Sequence, residues 1–530
     1  MKRTLLVATR TVPLVVSTAL LVAACGGGSG TSAVAQQPAG SAPAAAQSQP
    51  ASTDAAPAAP AAAQTKAAPA KPVGAAPAAP AAKSTKVAAA APAKPATKGK
   101  ATKAGTTKAA AVAGENGSSI TPLDATDAQR AENQKVYDQK NGATDVGVTK
   151  DEIKLGSVSM HGMALGNVLV APVVRGNLAT ISSINDRGGV LGRRLSLTDC
   201  DDGPGEVARS KGCIKKLVGQ DHVFSLVSAI DWATASIHDD LKQDHLPYVG
   251  VWAYSQTEWQ DPYMFPTHMS MIHEAMAGAH WAANVIKPQT YGLVCLTSPE
   301  MQLACNTVQK IMDATGAKMV KRADVSISET SMSAYVLSMR AANPEHIIHY
   351  VINPSTMAKF MVEAAQQGYY PPKGISGNHL AAEVLGSLFG KWPAGRYWTN
   401  TTYKLWGPEF MATMNKYARG NRGTNHHIVQ AGYTGINVFA LAARAVGPNL
   451  TRDRLMAELG NGTVWLADTS LDQRFSYVNS ERNGDNWNHD YGQGREFMYK
   501  YNSTNTVSNP DGSPNGFAPD ENQFVINTWK

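Results

Sequence analysis

Two groups of residues have types and spacings that could carry chemistry. The first is the adjacent pair Asp201-Asp202; neighbouring carboxylates can divide general acid and general base between them. The second gathers thioethers and imidazoles at Met264, His268, Met269, Met271, His273, Met276 and His280, with Met160, His161 and Met163 upstream. Such donors suit copper. Neither group grows into a reaction centre. His273 and His280 stand seven residues apart on a predicted helix, where methionine is ordinarily core. No CxxC or Cys-His spacing suited to zinc occurs. The nucleophile elbow GxSxG, the zinc motif HExxH, a GxGxxG turn between strand and helix and the phosphate loop GxxxxGKS/T are all missing. No enzymatic activity, resident metal or cofactor is expected.

The elements around these residues alternate. Ile153–Ser159, Leu195–Thr198, Val223–Val227 and Tyr248–Val251 read as strands, and Val170–Ile184, Glu206–Val218 and Thr234–Asp244 as helices. That order predicts βαβ units on a parallel sheet, whose ligands sit beyond the carboxyl ends of the strands. Those ends are Met160-His161-Gly162, Asp201-Asp202-Gly203, Ala229–Thr234 and Trp252–Ser255. A second series follows. Strands are predicted at Tyr291–Leu296, Lys318–Val320, His346–Ile352 and Gly374–Ser376, and helices at Glu300–Ala314, Ser331–Ala341, Ser355–Gln367 and Ala381–Leu388. Long helices at His427–Val446 and Arg452–Leu459 come next, then strands in the tail from Phe475, including Arg495–Lys500 and Phe524–Trp529. Thr126–Gln139 is a polar lead-in helix.

The stretches GVTKDEIKLGS, INDRGGVLGRRLSL and DDGPGEVARSKGCIKKLV together resemble the branched-chain amino acid-binding branch of ABC-importer solute-binding proteins. The resemblance runs from about Val146 to the C-terminus. Its turn has a local reason: Gly188, Gly189 and Gly192 permit positive φ between helix and strand. It implies two doubly wound parallel-sheet lobes joined by a hinge, with three crossovers between them. It places Asp201-Asp202 as a structural or cleft-rim pair.

The resemblance also implies where a solute would sit. The loops after the third and fourth strands hold the ligand's carboxylate and amino group in the family. Here they carry Asp231, Trp232 and Thr234, then Trp252, Ala253 and Tyr254. Asp231 stands where amino-acid binders have serine. A carboxylate there repels an anion unless protonated or paired, and the aromatic residues offer flat apolar and cation–π surfaces. Asp231 could equally cap the next helix, and Trp252 could pack the lobe. In the second lobe the alignment points to Glu300 or Met301, Asn353 and Asn378, with Asn378 in place of the family's acid. Asparagine both donates and accepts, which suits amides, alcohols or ureas, though each also suits a turn. His161 completes the candidate ligand set.

The amino end is of another kind. Met1–Ala24 carries Lys2, Arg3 and Arg10 before an apolar run too short to span a membrane. It ends Val22-Ala23-Ala24-Cys25, which resembles a bacterial lipobox and implies a signal peptide cleaved before a lipid-bearing Cys25. Residues 25–114 are nearly all Ala, Pro, Lys, Ser, Thr, Gln and Gly, predicting a disordered, semi-stiff tether. The net charge of +7 divides into +3 for the signal, +8 for the tether and −4 for the rest. The folded part is mildly acidic, so nucleic-acid binding is not expected. Cys200 ends a strand and Cys213 lies in the next helix; Cys295 and Cys305 repeat the arrangement. Disulfides Cys200–Cys213 and Cys295–Cys305 are expected in an exported protein, with four buried thiols as the alternative.

The domains expected are the signal (1–24), tether (25–114), lead-in (115–145), a first lobe (146–266 with 400–475) and a second (267–399 with 476–530). The functional expectation is an extracytoplasmic, lipid-anchored, monomeric solute receptor handing an amino acid-like, amide or aromatic solute to ABC permease subunits. The alternative is an envelope sensor or scaffold that keeps the fold and feeds no transporter.

Overall fold

The computed structural model describes residues 112–519, apart from 379–395, 402–406, 419–425, 467–472, 477–496, 502–506, 509–513 and shorter stretches near 115, 121–125, 164–169, 254–260, 269, 327, 351–353, 462 and 516. Among the described residues no helix is long and apolar enough to cross a membrane. The expected signal and tether lie outside the described residues, except at the end of the segment read as tether. Val112–Ala113 (β1), read as tether, pairs antiparallel with Ser119–Ile120 (β2). Val112 packs on the apolar core, which a chain of alanine and proline alone could not do. The lead-in helix α1 (Asp127–Gln139) starts at a capping box between Thr126 and Gln129.

The first sheet is built on β3 (Glu152–Ser159), where Ile153, Leu155 and Val158 are all buried. A strand buried on both faces belongs in a parallel sheet with helices on either side. Its other strands are β4 (Arg194–Asp201), β5 (Ser225–Val227), β6 (Tyr248–Val249) and β7 (Met264–Phe265). The order is β4-β3-β5-β6-β7, all parallel. Helices α2 (Ala171–Asp186) and α3 (Val207–Gly219) make the crossovers. Between α2 and β4, Gly188, Gly189 and Gly192 all take positive φ, as the turn requires.

The predicted helix Thr234–Asp244 is broken. It forms a 3₁₀ turn at Thr234–Ser236 and then α4 (His238–Gln243). Thr234 and Ser236 hydroxyls bond back to the Asp231 and Ala233 carbonyls, and such local bonds compete with helix formation.

After β7 the chain enters α5 (Met271–Trp281), β8 (Thr290–Leu296), α6 (Pro299–Ala314), β9 (Lys318–Val325), α7 (Ser333–Ala342), β10 (His346–Tyr350), α8 (Pro354–Gln366), β11 (Ile375–Asn378) and β12 (Tyr397–Thr401). The helix expected at Ala381–Leu388 and the strand at Phe524–Trp529 lie outside the described residues. Strands β8 to β12 are parallel and repeat the winding of the first sheet, while β15 (Phe497–Tyr501) and β18 (Phe517–Pro519) add antiparallel. The second sheet therefore runs β18-β15-β12-β11-β10-β8-β9. A separate pair, β16 (Val507–Ser508) and β17 (Pro514–Asn515), lies between its last two strands in the chain. Sequence periodicity does not mark β12, because Tyr397–Thr401 mixes polar and aromatic residues without alternation.

Between β12 and β15 the chain returns to the first lobe. Helix α9 (Pro408–Tyr417) packs Phe410 and Met414 against Ala179 of α2. The long α10 (His426–Val446) lies across α2 at a close approach of Gly176 and Gly432. A Cβ on either would strike the other helix's backbone, at Val429 O and Val173 O respectively. The apolar side of α10, including Ile436, Phe439 and Ala443, completes the core with Leu155, Phe224 and Val249. Helix α11 (Arg452–Asn461) leads to β13 (Thr463–Leu466) and β14 (Gln473–Ser476), and β13 pairs with β2.

Two buried arginines tie these returns down. Arg193 donates to Thr149, Gly142 and Pro448 carbonyls, and Arg452 to those of Phe224, Asp244 and Val223. The two disulfides form as expected, Cys200–Cys213 from β4 to α3 and Cys295–Cys305 from β8 to α6.

Candidate functional site

Strand β3 is flanked by β4 on one side and β5 on the other, so the loops leaving β3 and β5 diverge above it. That divergence is the switch point where open α/β sheets bind ligands. Backbone contacts join the three loops there. Met160 N donates to Ile230 O at 3.3 Å, and Gly162 N to Gly203 O at 3.0 Å. Gly205 lies against Met160, Asp231 and Trp232.

His161 is half-buried at this point, its Nε2 2.6 Å from Asp199 Oδ2. Ser157 and Ser159 hydroxyls donate to the other oxygen of Asp199. The hydrogen bond with Asp199 raises the pKa of His161, against the opposing effect of burial, and the charges of Asp199, Asp201 and Asp202 add to the rise. Burial acts to raise Asp199, but the bonds from His161, Ser157 and Ser159 outweigh it and hold the carboxyl low. The result is a cation-leaning imidazole on a fixed carboxylate.

Asp231 turns inward. It is 1 % exposed, and its Oδ1 accepts from Ala233 N at 2.8 Å, the turn bond that a short acidic side chain makes at a helix start. Burial raises its pKa to about 7, aided by Asp202. Thr234 is buried as well. Trp232, next along, is 38 % exposed. The loop therefore hides its acid and presents its aromatic ring.

Trp252 and Ala253 are buried. The Trp252 ring stacks on His268, centroids 4.3 Å apart, and packs with Met160, Ile230 and Ile428. His268 in turn lies 3.1 Å from Glu274 Oε1, and Asn400 Nδ2 at β12 donates to Glu274 O at 2.8 Å. This chain runs from the first sheet through the segment after β7 into the second sheet. His268 of the methionine–histidine group is thus engaged in packing and pairing. Among the described residues no group of three His, Cys, Asp or Glu is arranged to hold a metal.

In the second lobe Glu300 is exposed in the first turn of α6. Asn378 is the last residue of β11, paired in register with Asn400; its side chain, Asn353 and Tyr254 lie outside the described residues. The structure thus brings His161, Asp231 and Trp232 together, sets Trp252 at the passage between lobes, and leaves Glu300 at the matching strand end of the second sheet.

Sequence reasoning missed Asp199, Ser157, Ser159 and Glu274, as well as Ser210, whose hydroxyl donates to Asp202, and it read His268 only as a member of the methionine–histidine group. The alternation of Ser157 and Ser159 on one face of a strand was legible, but their convergence on Asp199 needed the strand pairing. It also missed His349 of β10, fully buried against Phe360, with no hydrogen-bond partner among the described residues for either ring nitrogen. Burial pushes that imidazole down to about 3.

Two sheets of one winding, with the chain crossing between them three times, define a two-lobed binding-protein fold. The family description "Periplasmic binding protein" matches residues 164–483, and the chain belongs to that family. The fold is that of type I periplasmic binding proteins. Three solved structures illustrate the likeness. One is an ABC-transporter solute-binding protein from R. palustris in complex with 4-hydroxybenzoate, 14 % identical, with a TM-score of 0.58 over 71 % of this chain and 100 % of that one. Another is a fatty acid ABC-transporter substrate-binding protein from Thermomonospora curvata, also 14 % identical, TM-score 0.57 over 72 % and 95 %. A third is a branched-chain amino acid transporter substrate-binding protein from Streptococcus pneumoniae in complex with isoleucine, 14 % identical, TM-score 0.54 over 70 % and 100 %. No curated protein matches the sequence.

Proposed function

We propose that this protein is the extracytoplasmic solute-binding receptor of an ABC importer. The observation that carries this is the pair of identically wound sheets, with His161 and Trp232 displayed at the switch point of the first. Lobes of this kind close on a small ligand and shield it from water. The solute is amino acid-like, an amide or an aromatic. Because Asp231 is turned inward and its pKa raised, its charge no longer argues against a carboxylate, while His161 and Trp232 suit an anionic head beside a flat apolar body. Similar folds in complex with isoleucine and with 4-hydroxybenzoate support both choices.

In this reading the first lobe is 146–266 with 400–475 and the second 267–399 with 476–530. Cys25 carries the lipid, and the receptor acts as a monomer that docks on permease subunits. Asp231, Thr234, Trp252 and Ala253 shape the site from behind, and Glu300, Asn353, Asn378 and Tyr254 complete the proposed ligand set.

A thermal-shift screen of the protein with both disulfides formed tests the proposal. The panel holds leucine, isoleucine, valine, aromatic amino acids, amides, ureas, polyamines and small aromatic acids and alcohols. A true ligand at 100 times its dissociation constant adds about 2.7 kcal/mol. Stabilisation by one chemical class supports the receptor; no shift across the panel turns the case toward a sensor or scaffold.

A further inference from the structure

Asp202 and Asp231 are 0 % and 1 % exposed. Each has one oxygen served: Ser210 Oγ donates to Asp202 Oδ2 at 2.6 Å, and Ala233 N donates to Asp231 Oδ1. Among the described residues the remaining oxygens, Asp202 Oδ1 and Asp231 Oδ2, have no donor placed on them. Gly205, three residues after Asp202, lies against Asp231 Oδ1, and the Asp202 carboxyl and the Ser210 hydroxyl are both within hydrogen-bonding reach of Asp231. Two buried carboxylates in contact do not both stay ionised, and one proton between them replaces repulsion with a hydrogen bond. Arg209, beside Gly203, does not neutralise them; it pairs with Glu206.

We propose that Asp202 and Asp231 share one proton and so form a pH-sensitive clasp between the loops after β4 and β5. Those loops present Trp232 and, through the bond from Gly162 N to Gly203 O, support the backbone beside His161. Several other carboxyl groups lie close by. Tyr248 of β6, its hydroxyl buried and without a partner among the described residues, lies in the field of Asp231, Glu258, Asp202 and Asp199. His161 feels Asp199, Asp201 and Asp202. Burial first, then Asp202, raises Asp231 to about 7, against the bonds from Ala233 and the Ser210 hydroxyl. A carboxyl raised on folding adds stability that is complete below its ordinary value of about 4. That contribution fades as pH rises and is gone above about 7.

The test compares thermal unfolding of the solute-free protein, disulfides intact, with that of Asp231→Asn from about pH 5 to about pH 9. The amide keeps an acceptor for Ala233 N and donates to Asp202, so it stands in for the shared proton at every pH. Wild-type Tm is expected to fall relative to the variant up to about pH 7 and to run parallel above it. A constant gap over the whole range overturns the clasp. Carbon-13 NMR of the aspartate carboxyl groups in the wild-type protein reads the same point without depending on a variant. One aspartate titrating near pH 7 is expected, and none titrating above about 5.5 overturns it. Neither measurement uses a solute, so failure here leaves the receptor reading untouched, and the reverse also holds.

Discussion

His161 leans toward its charged form because Asp199 is held in place by two serine hydroxyls and cannot turn away. The consequence for stability has a definite sign. A histidine raised on folding adds stability that is complete below its ordinary value of about 6.5, and that contribution is lost as pH rises through the raised one. Asp199, held low, adds stability above the ordinary aspartate value of about 4 that is lost on acidification. His161→Gln is therefore expected to narrow its Tm deficit against wild type as pH rises from about 6 to about 9; a deficit independent of pH would show that the pairing has no energetic weight. For the solute, Trp232→Ala is expected to weaken binding of an aromatic ligand about tenfold. Its effect on stability should stay within about 1 kcal/mol, because the ring is partly in water. Isothermal titration with the ligand from the screen, beside a melting curve, separates the two effects.

Elements here are held by contacts far apart in the chain. Strand β5 contributes only three residues, so much of its anchorage comes from Arg452, which gathers the carbonyls of Val223, Phe224 and Asp244. Arg452→Met keeps apolar volume but strands three acceptors, and a loss of roughly 3 kcal/mol is expected in a urea melt. A loss under about 1 kcal/mol would mean that water replaces the guanidinium without strain. The helices themselves are legible in the sequence: α2, α3, α6, α8 and α10 all start and stop within two residues of the ranges read from apolar periodicity and turn residues. The one helix misread has a local cause. The stretch Thr234–Asp244 has a helical composition, yet the hydroxyls of Thr234 and Ser236 satisfy nearby carbonyls instead. Local pattern does not weigh such competitors.

At the scale of the whole molecule, binding should be read as closure. The stacked Trp252 and His268, with Glu274 and Asn400 beyond them, mark the passage about which the lobes would turn. Small-angle scattering is expected to show a smaller radius of gyration with bound solute than without. An unchanged radius at saturation would argue for a rigid pocket rather than hinged lobes.

The sequence by itself determined the two βα series, the glycine turn at 188–192 and the mildly acidic character of residues 115–530, and it pointed to the disulfide partners that the structure joins. Each rests on periodicity, φ preference, strand-to-helix proximity or a sum of charges, and all of these are local or additive. Only the tertiary structure decided the strand order, the turning inward of Asp231 onto Asp202, and the stacking of His268 on Trp252. Asp202 and Asp231 are carried by different strands, and whether two such acids meet in a dry interior or stand apart in water depends on which strands are neighbours. That choice is made by the packing of α2, α3 and α10 on the sheet, not by the residues beside either aspartate.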